Sequence, residues 1–516
     1  MRHLPGFSEK LSPMLVKELR QGLRSPLFVW GLIAMNLFLS AVVPFTMEDP
    51  SEESLHMAFF GGYCVLVCGL LPLRAAGALH DELRGQTIDT LILTRLNGWR
   101  ITLGKWLAVV AQQILVAITV LPYLIVRYFA GGLDIPSELA WLGIFLLAGI
   151  GSAAVLTGFS WIRYFLFRAA LMMGMTFITG TFCYSVLEVM YGRYGRGDFL
   201  GEFYSRMGWH GILLVLAPVV HLAFWCLDLG AAQVGGVVEH RSVRRRLTGL
   251  GFVLFYLLLA GTYGAGSRFF DPETFVLVTG VILAFTVGLL VLQALLEVPV
   301  NLVSVVTPWI RKGWWGRLAS RFLATGWPSG VLYSLFLLGI CLAAFGIGAN
   351  WMLRAGTSHN LGDILRPDAI SFGVAGFGAV IGMIPLPLVL WQLFFRRRLP
   401  WHLWIYGLLL AGTVSIQMGA ILFAEVMENE NWLKLGTPIP TMGWSWLNAG
   451  GPVAWLDPNR LDWDDAMIAL VSGTATVFWW QAALLTALLA FRQTRAVEAE
   501  AQRLMEAGQE KPAHEI

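Results

Sequence analysis

Apolar runs of about 20 residues recur along the chain from Leu27 to Phe491, each long enough to cross a hydrocarbon core of roughly 30 Å as a helix. That recurrence narrows the choice of fold more than any other feature. Within lipid, every backbone N–H and C=O needs a partner in the chain itself, so only helices and closed barrels can span. Barrel strands alternate apolar and polar residues over about 10 positions, whereas these runs are continuously apolar. The expectation is an all-α polytopic membrane protein. Composition agrees, with 57% hydrophobic and only 13% charged residues in 516, against roughly 25% charged in an ordinary soluble domain.

About twelve transmembrane helices are predicted, over 27–47, 58–79, 106–129, 138–161, 166–188, 209–231, 248–266, 274–297, 329–351, 369–395, 402–424 and 466–490. An even number puts both termini on one side. With the N-terminus inside, most of the 36 Lys and Arg residues fall in cytoplasmic segments, as the positive-inside rule requires. These include Arg241, Arg244, Arg245 and Arg246, then Arg311, Lys312, Arg317 and Arg321, then Arg396, Arg397 and Arg398. Outside lie "MEDPSEES" and a loop over 425–465 that carries Trp432, Trp444, Trp446, Trp455 and Trp463 among Asp457, Asp462, Asp464 and Asp465. Those tryptophans read either as interfacial anchors or as a groove for sugars, headgroups or a partner. The N-terminus is polar for too long to be a cleavable signal.

The five cysteines, Cys64, Cys68, Cys183, Cys226 and Cys341, all fall inside apolar spans and read as small buried hydrophobes rather than disulfide partners. Cys64 and Cys68 share a helix face, but no His or acid nearby completes a metal set, and no metal or cofactor is predicted. Charges in or near the spans are few, Arg127, Glu188, Asp228 and Glu297 among them, which argues against a proton- or sodium-coupled carrier. The neutral groups Asn36, Gln112, Gln113, His221, Gln293, Gln417 and Gln481 read as interhelical hydrogen-bond partners.

Two charged stretches stand out against this background. The first, "LSPMLVKELRQGLRSP", starts a helix at Ser12 and Pro13. It sets Leu15, Val16, Leu19 and Leu23 on one face and Lys17, Glu18, Arg20 and Arg24 on another, the pattern of an interfacial elbow helix. The second, "HDELRGQTIDTLILTRLNGWRITLGK" over His80 to Lys105, lies between the second and third spans and cannot sit in oil. Within it Ile88, Leu91, Ile92 and Leu96 form an apolar stripe, with Thr87 able to cap the first turn and Asp89 favoured at its positive end. A short helix flat beneath the bilayer is expected. On the pattern alone it is either an inert connector or a docking element.

Together the two stretches resemble the permease subunits of ABC-2 type transporters. The resemblance rests on Glu82, Arg84, Gly85, Thr87, Asp89, Leu91, Leu93, Thr94, Ile101, Gly104 and Lys105, and covers roughly residues 12 to 231. It implies a six-helix permease domain whose segment 81–105 is a coupling helix. The resemblance implies that this helix docks into a cleft on a separate cytoplasmic ABC ATPase subunit, working as a dimer, and that the chain lies in the cytoplasmic (inner) membrane. Arg95 stands where the family often has Pro, and a family permease usually stops at six helices. Residues 248–490 are thus either a degenerate second permease half, making the chain a pseudo-dimer, or an added membrane module. A second permease copy is the other route to a complete transporter.

The resulting organisation is an elbow over 1–26, a permease domain over 27–231, a basic linker over 232–247, a second six-helix domain over 248–490 and a charged tail over 491–516. No enzymatic activity is expected. Gly98, Gly104 and Lys105 suggest a phosphate loop, but the glycines are one residue too far apart and Trp106 replaces the Mg-binding Ser or Thr. No hydrolase elbow, His-Glu-x-x-His pair or zinc spacing occurs. The resemblance implies an exporter energised by a partner; nucleic acid is not an expected partner. Two other readings stay open: a non-transporting scaffold for an envelope or motility complex, and a polytopic transferase using the external Trp-rich loop on a lipid-linked substrate.

Overall fold

The computed structural model describes residues 13–48, 53–84, 97–130, 135–162, 165–188, 199–235, 241–263, 286, 303–355 and 465–509. Among these it is helical, with no strand. Among the described residues five helices are long and apolar enough to cross a membrane, over Pro26–Phe45, Met57–His80, Gly98–Phe129, Ile135–Phe159 and Leu216–Val234. A sixth would arise if the bent pair Gly313–Leu323 and Pro328–Cys341 were one span. The expected span over 274–297 apart from residue 286, those over 369–395 and 402–424, and the external loop over 425–464 lie outside the described residues. Apolar side chains such as Trp30, Leu37, Phe129 and Phe177 are exposed, an arrangement suited to lipid and not to water.

The described residues divide into two compact units at Arg241/Ser242. In the first, α1 (Pro13–Leu23) leads through Ser25 into α2 (Pro26–Glu48), which begins with Pro at its first position, where a missing N–H costs nothing. Next come α3 (Glu53–Cys64), a π-helical turn (Val65–Leu70), α4 (Leu71–Ala75) and α5 (Ala78–Arg84). The unit continues with α6 (Gly98–Ala130), α7 (Ile135–Phe159), α8 (Phe165–Glu188) and α9 (Phe199–Gly235). Its core gathers Phe59, Phe60, Tyr63, Leu71, Val120 and Phe145.

Lipid tails are as apolar as leucine, so small residues and polar contacts must fix how the spans meet. At the α7–α9 crossing, a Cβ on Gly158 would collide with the Cys226 backbone, and one on Gly230 would come 2.8 Å from the Gly158 carbonyl oxygen. The two backbones touch there because neither helix has a side chain in the way. Gln113 donates to the Val67 carbonyl at 3.0 Å, and Tyr123 meets the Asn36 side chain at 3.2 Å. The π turn explains the first of these. Its wider winding carries the Leu71 N–H to the Leu66 carbonyl, i to i+5, which dislocates the ordinary ladder and leaves a carbonyl for a neighbour to satisfy.

The second unit contains α10 (Arg241–Tyr263), α11 (Val303–Ile310), α12 (Gly313–Leu323), α13 (Trp327–Ala355) and α14 (Asp465–Gln509). The basic residues Arg244 to Arg246, expected in a linker, form the first turns of α10. Helix α12 presents exposed Trp314 and Trp315 on one side and turns by 90° into the helix beginning at Pro328. Arg246 holds that bend, donating to the Phe322 carbonyl at 2.8 Å, the Gly326 carbonyl at 3.2 Å and Ser329 Oγ at 3.3 Å. Arg321 grips Glu498 of α14 with two hydrogen bonds of 2.9 Å. Those bonds raise its guanidinium above the ordinary range.

Candidate functional site

The candidate site is built where α1, α5 and α6 meet. Asn97 caps α6 by accepting the Arg100 N–H at 2.9 Å, the bond a helix start calls for. Helix α6 therefore begins at Gly98, and residues 98–105, expected as part of the loop, are the first turns of a spanning helix. On the other side, α5 carries the chain as helix to Arg84. Only 85–96 remain between the two helices, and that stretch, with Gly85, Thr87, Asp89, Leu91, Leu93 and Thr94, lies outside the described residues.

Both helical arms are bound to α1. Lys105 Nζ sits 2.9 Å from Glu18 Oε1 and 3.2 Å from Glu82 Oε1, with its side chain only 5% exposed. Lys17 approaches the same Glu82 oxygen at 3.7 Å from a largely solvated position. One ammonium thus joins the elbow to both arms of the predicted coupling segment. Its burial means that losing one partner leaves an uncompensated charge away from water, a larger cost than breaking a surface pair. Beside this bracket Met14 is buried with Leu79, Ile101 and Val234, which belong to α5, α6 and α9. Gly104 makes the close approach possible, since a Cβ there would stand 3.3 Å from Met14 Cγ.

The far end of α1 is fastened separately. Arg74 donates to the Gly22 carbonyl at 2.9 Å, to Ser25 Oγ at 3.0 Å and to Gln112 Oε1 at 3.3 Å. A guanidinium thereby supplies a donor to the Gly22 carbonyl in the last turn of α1, where carbonyls have no intrahelical partner. A Cβ on Gly22 would collide with the Gln112 amide. Within the predicted elbow set, Arg20 and Arg24 are exposed and Lys17 is mostly so, while Glu18 turns inward to Lys105. Met14, Gly22 and Arg74 were not among the predicted site residues. A charge inside the apolar run 58–79 was the available signal for Arg74.

A second cluster forms in the core of the same unit. Cys64 and Cys68 bracket most of the π turn, and α8 brings Cys183 to them, so that the three sulfur atoms lie within 4.8 Å of one another, all buried. The pair is visible as a shared helix face. The third member is not, because nothing in the local sequence of α8 says which helix it faces.

At the ends of α6 and α7, Arg127 pairs with Glu138 at 3.2 Å and stacks 4.3 Å over the Phe59 ring. The pair is buried and joins α6 to α7, which makes it a fastening between helices. No protein-family model, curated protein or solved structure matches the chain.

Proposed function

We propose that the chain is the permease subunit of an ATP-binding-cassette transporter of the ABC-2 type, and that it works as an exporter. In this reading the N-terminus faces the cytoplasm of a cell bounded by an inner membrane, and a separate ATPase docks on residues 85–96. The observation that carries the reading is the Lys105 bracket, in which one buried ammonium ties α1 to both arms of that segment. A docking element transmits a push only if its supports are stiff, and here both supports are continuous with apolar helices over Met57–His80 and Gly98–Phe129. Rigid-body closure below would then be delivered to two membrane helices at once. Arg84 and Asp89 set register with the partner more than raw affinity.

The second unit repeats the mechanical design of the first. Helix α12 has the 11-residue length of α1, enters an apolar helix beside a proline, and has its final carbonyls held by an arginine from another helix. We read it as a second interfacial helix feeding a membrane module.

The test is to purify the full chain from its native host and identify what comes with it, then repeat with Asp89→Lys. The expected result is a cassette-type ATPase that copurifies, with association and stimulated ATP hydrolysis lost in the variant. Absence of any such ATPase, or unchanged association and hydrolysis in the variant, would remove the proposal.

A further inference from the structure

We propose that Cys64, Cys68 and Cys183 form a binding site for a soft monovalent ion of the Cu(I) class. Cys64 and Cys68 lie one turn apart on a single span and Cys183 comes from α8, and the three sulfur atoms lie within 4.8 Å of one another. A metal–sulfur bond of about 2.3 Å puts three sulfurs around one ion about 4 Å apart. The sulfurs thus need to draw together by less than about 1 Å, a movement within reach of side-chain rotation.

The π turn supplies an independent reason to treat the cluster as a site. Residues Val65–Leu70 break α-helical geometry inside an apolar span, where every dislocated carbonyl must be satisfied by the protein. Such single-turn insertions concentrate at functional positions. Here the insertion includes Cys68 and begins directly after Cys64. Two further bonds hold the turn in place, Gln113 to the Val67 carbonyl and the Cys68 thiol to the Phe145 carbonyl at 3.1 Å. The wound-out geometry is therefore fixed from two neighbouring helices.

Donor chemistry selects the ion. The set is sulfur alone, without His or carboxylate, and thiolates favour Cu(I) over hard cations such as Mg²⁺ or Ca²⁺. Zinc in closed sites takes four ligands, one more than the cluster offers. The walls are apolar, with Phe60, Leu66, Phe145 and Leu187 in the same buried cluster, so a strongly hydrated ion would lose its water without replacement. Charge balance points the same way. One Cu(I) held by two thiolates and one neutral thiol carries a charge of −1 and releases two protons, with all three sulfurs around the ion. A divalent ion held by three thiolates would also carry −1, but with a coordination position open in a dry pocket. The bound ion would fasten α8 to the segment between α3 and α4.

The experiment uses the purified full chain in detergent, reduced and then titrated anaerobically with Cu(I) held by a chromophoric chelator. One equivalent withdrawn from the chelator is expected, with the same uptake by Cys226→Ser, whose thiol is buried elsewhere. Cys183→Ser and Cys68→Ser should each lower retention at least tenfold. X-ray absorption of the copper-loaded wild type, which needs no variant, should show sulfur neighbours only. Three results would each overturn the proposal: no uptake against the chelator, nitrogen or oxygen in the first coordination shell, or equal uptake by the Cys183 and Cys226 variants. A thiol count showing a disulfide among the three in the protein as isolated under non-reducing, metal-replete conditions would overturn it as well.

Discussion

Replacing Lys105 by Met removes one ammonium and leaves a side chain of similar length. Two Lys and two Glu make the bracket neutral, so Lys105→Met leaves it with one net negative charge and with Glu18 and Glu82 facing each other. Glu18 and Glu82 are only 16% and 12% exposed, too little for water to compensate fully. Losing one partner of a fully buried pair costs about 3–5 kcal/mol. Lys17 still reaches Glu82 at 3.7 Å, and partial exposure discounts the rest, so about 2–3 kcal/mol is expected here. For a unit of this size that corresponds to a fall of about 5–10 °C in thermal midpoint, read by intrinsic fluorescence in detergent. The decisive comparison is Lys105→Met with Glu82→Gln, which restores neutrality and gives Glu18 an amide donor. It should recover about half the loss, a coupling of at least ~1 kcal/mol. Lys17→Ala, at a mostly solvated position, should stay within about 0.5 kcal/mol of the wild type. If Lys105→Met unfolds with the wild type, or the double variant is no better than the single, the bracket does not hold α1 to the bundle.

Gly158→Val forces a side chain into the Cys226 backbone, and overpacking of this kind costs about 1–3 kcal/mol; a lowered thermal midpoint relative to Gly143→Val on the same helix, where a Cβ meets nothing within 4 Å, checks it. Arg246→Met withdraws the donors from the Phe322 and Gly326 carbonyls, each worth about 1.5–3 kcal/mol when the donor is charged. Hydrogen exchange over 320–334 should quicken about tenfold or more while α14 keeps its protection.

The apolar spans were readable because lipid leaves a sequence so little freedom: Pro26, Met57, Ile135 and Leu216 each open a run that has no other stable form in a bilayer. The start of α6 was misplaced by two turns for the same reason inverted. Arg100 and Lys105 look like loop residues in a hydropathy window, yet Asn97 caps the helix ahead of them and Glu18 and Glu82 neutralise Lys105. Only the folded chain supplies those partners. Glu18 was assigned to a solvated face by helical period, which holds for an isolated amphipathic helix and fails where a second helix offers a cation. Cys183 was unreadable as a ligand, because which residues of α8 face the π turn depends on helix rotation about its axis. An apolar sequence in an apolar medium does not encode that rotation strongly.

That weakness of encoding gives the polar bracket its mechanical meaning. Between spans, lipid provides no hydrophobic preference for one register over another, so a push applied at residues 85–96 would slide or rotate the helices above unless something fixes them. Three kinds of contact do so in the first unit: backbone contact at Gly158 and Gly230, side-chain bonds from Gln113 to the Val67 carbonyl and from Arg74 to the Gly22 carbonyl of α1, and the ion bracket at Lys105. The bracket differs from the others in position. It closes the gap between the two arms of the loop itself, with α1 as the brace, so relative motion of the arms must break a charge pair before it can shift apolar packing. The two arms are therefore coupled to each other more tightly than either is to the lipid. A force received by one helix is shared with its neighbour before it reaches the core around Phe60 and Phe145.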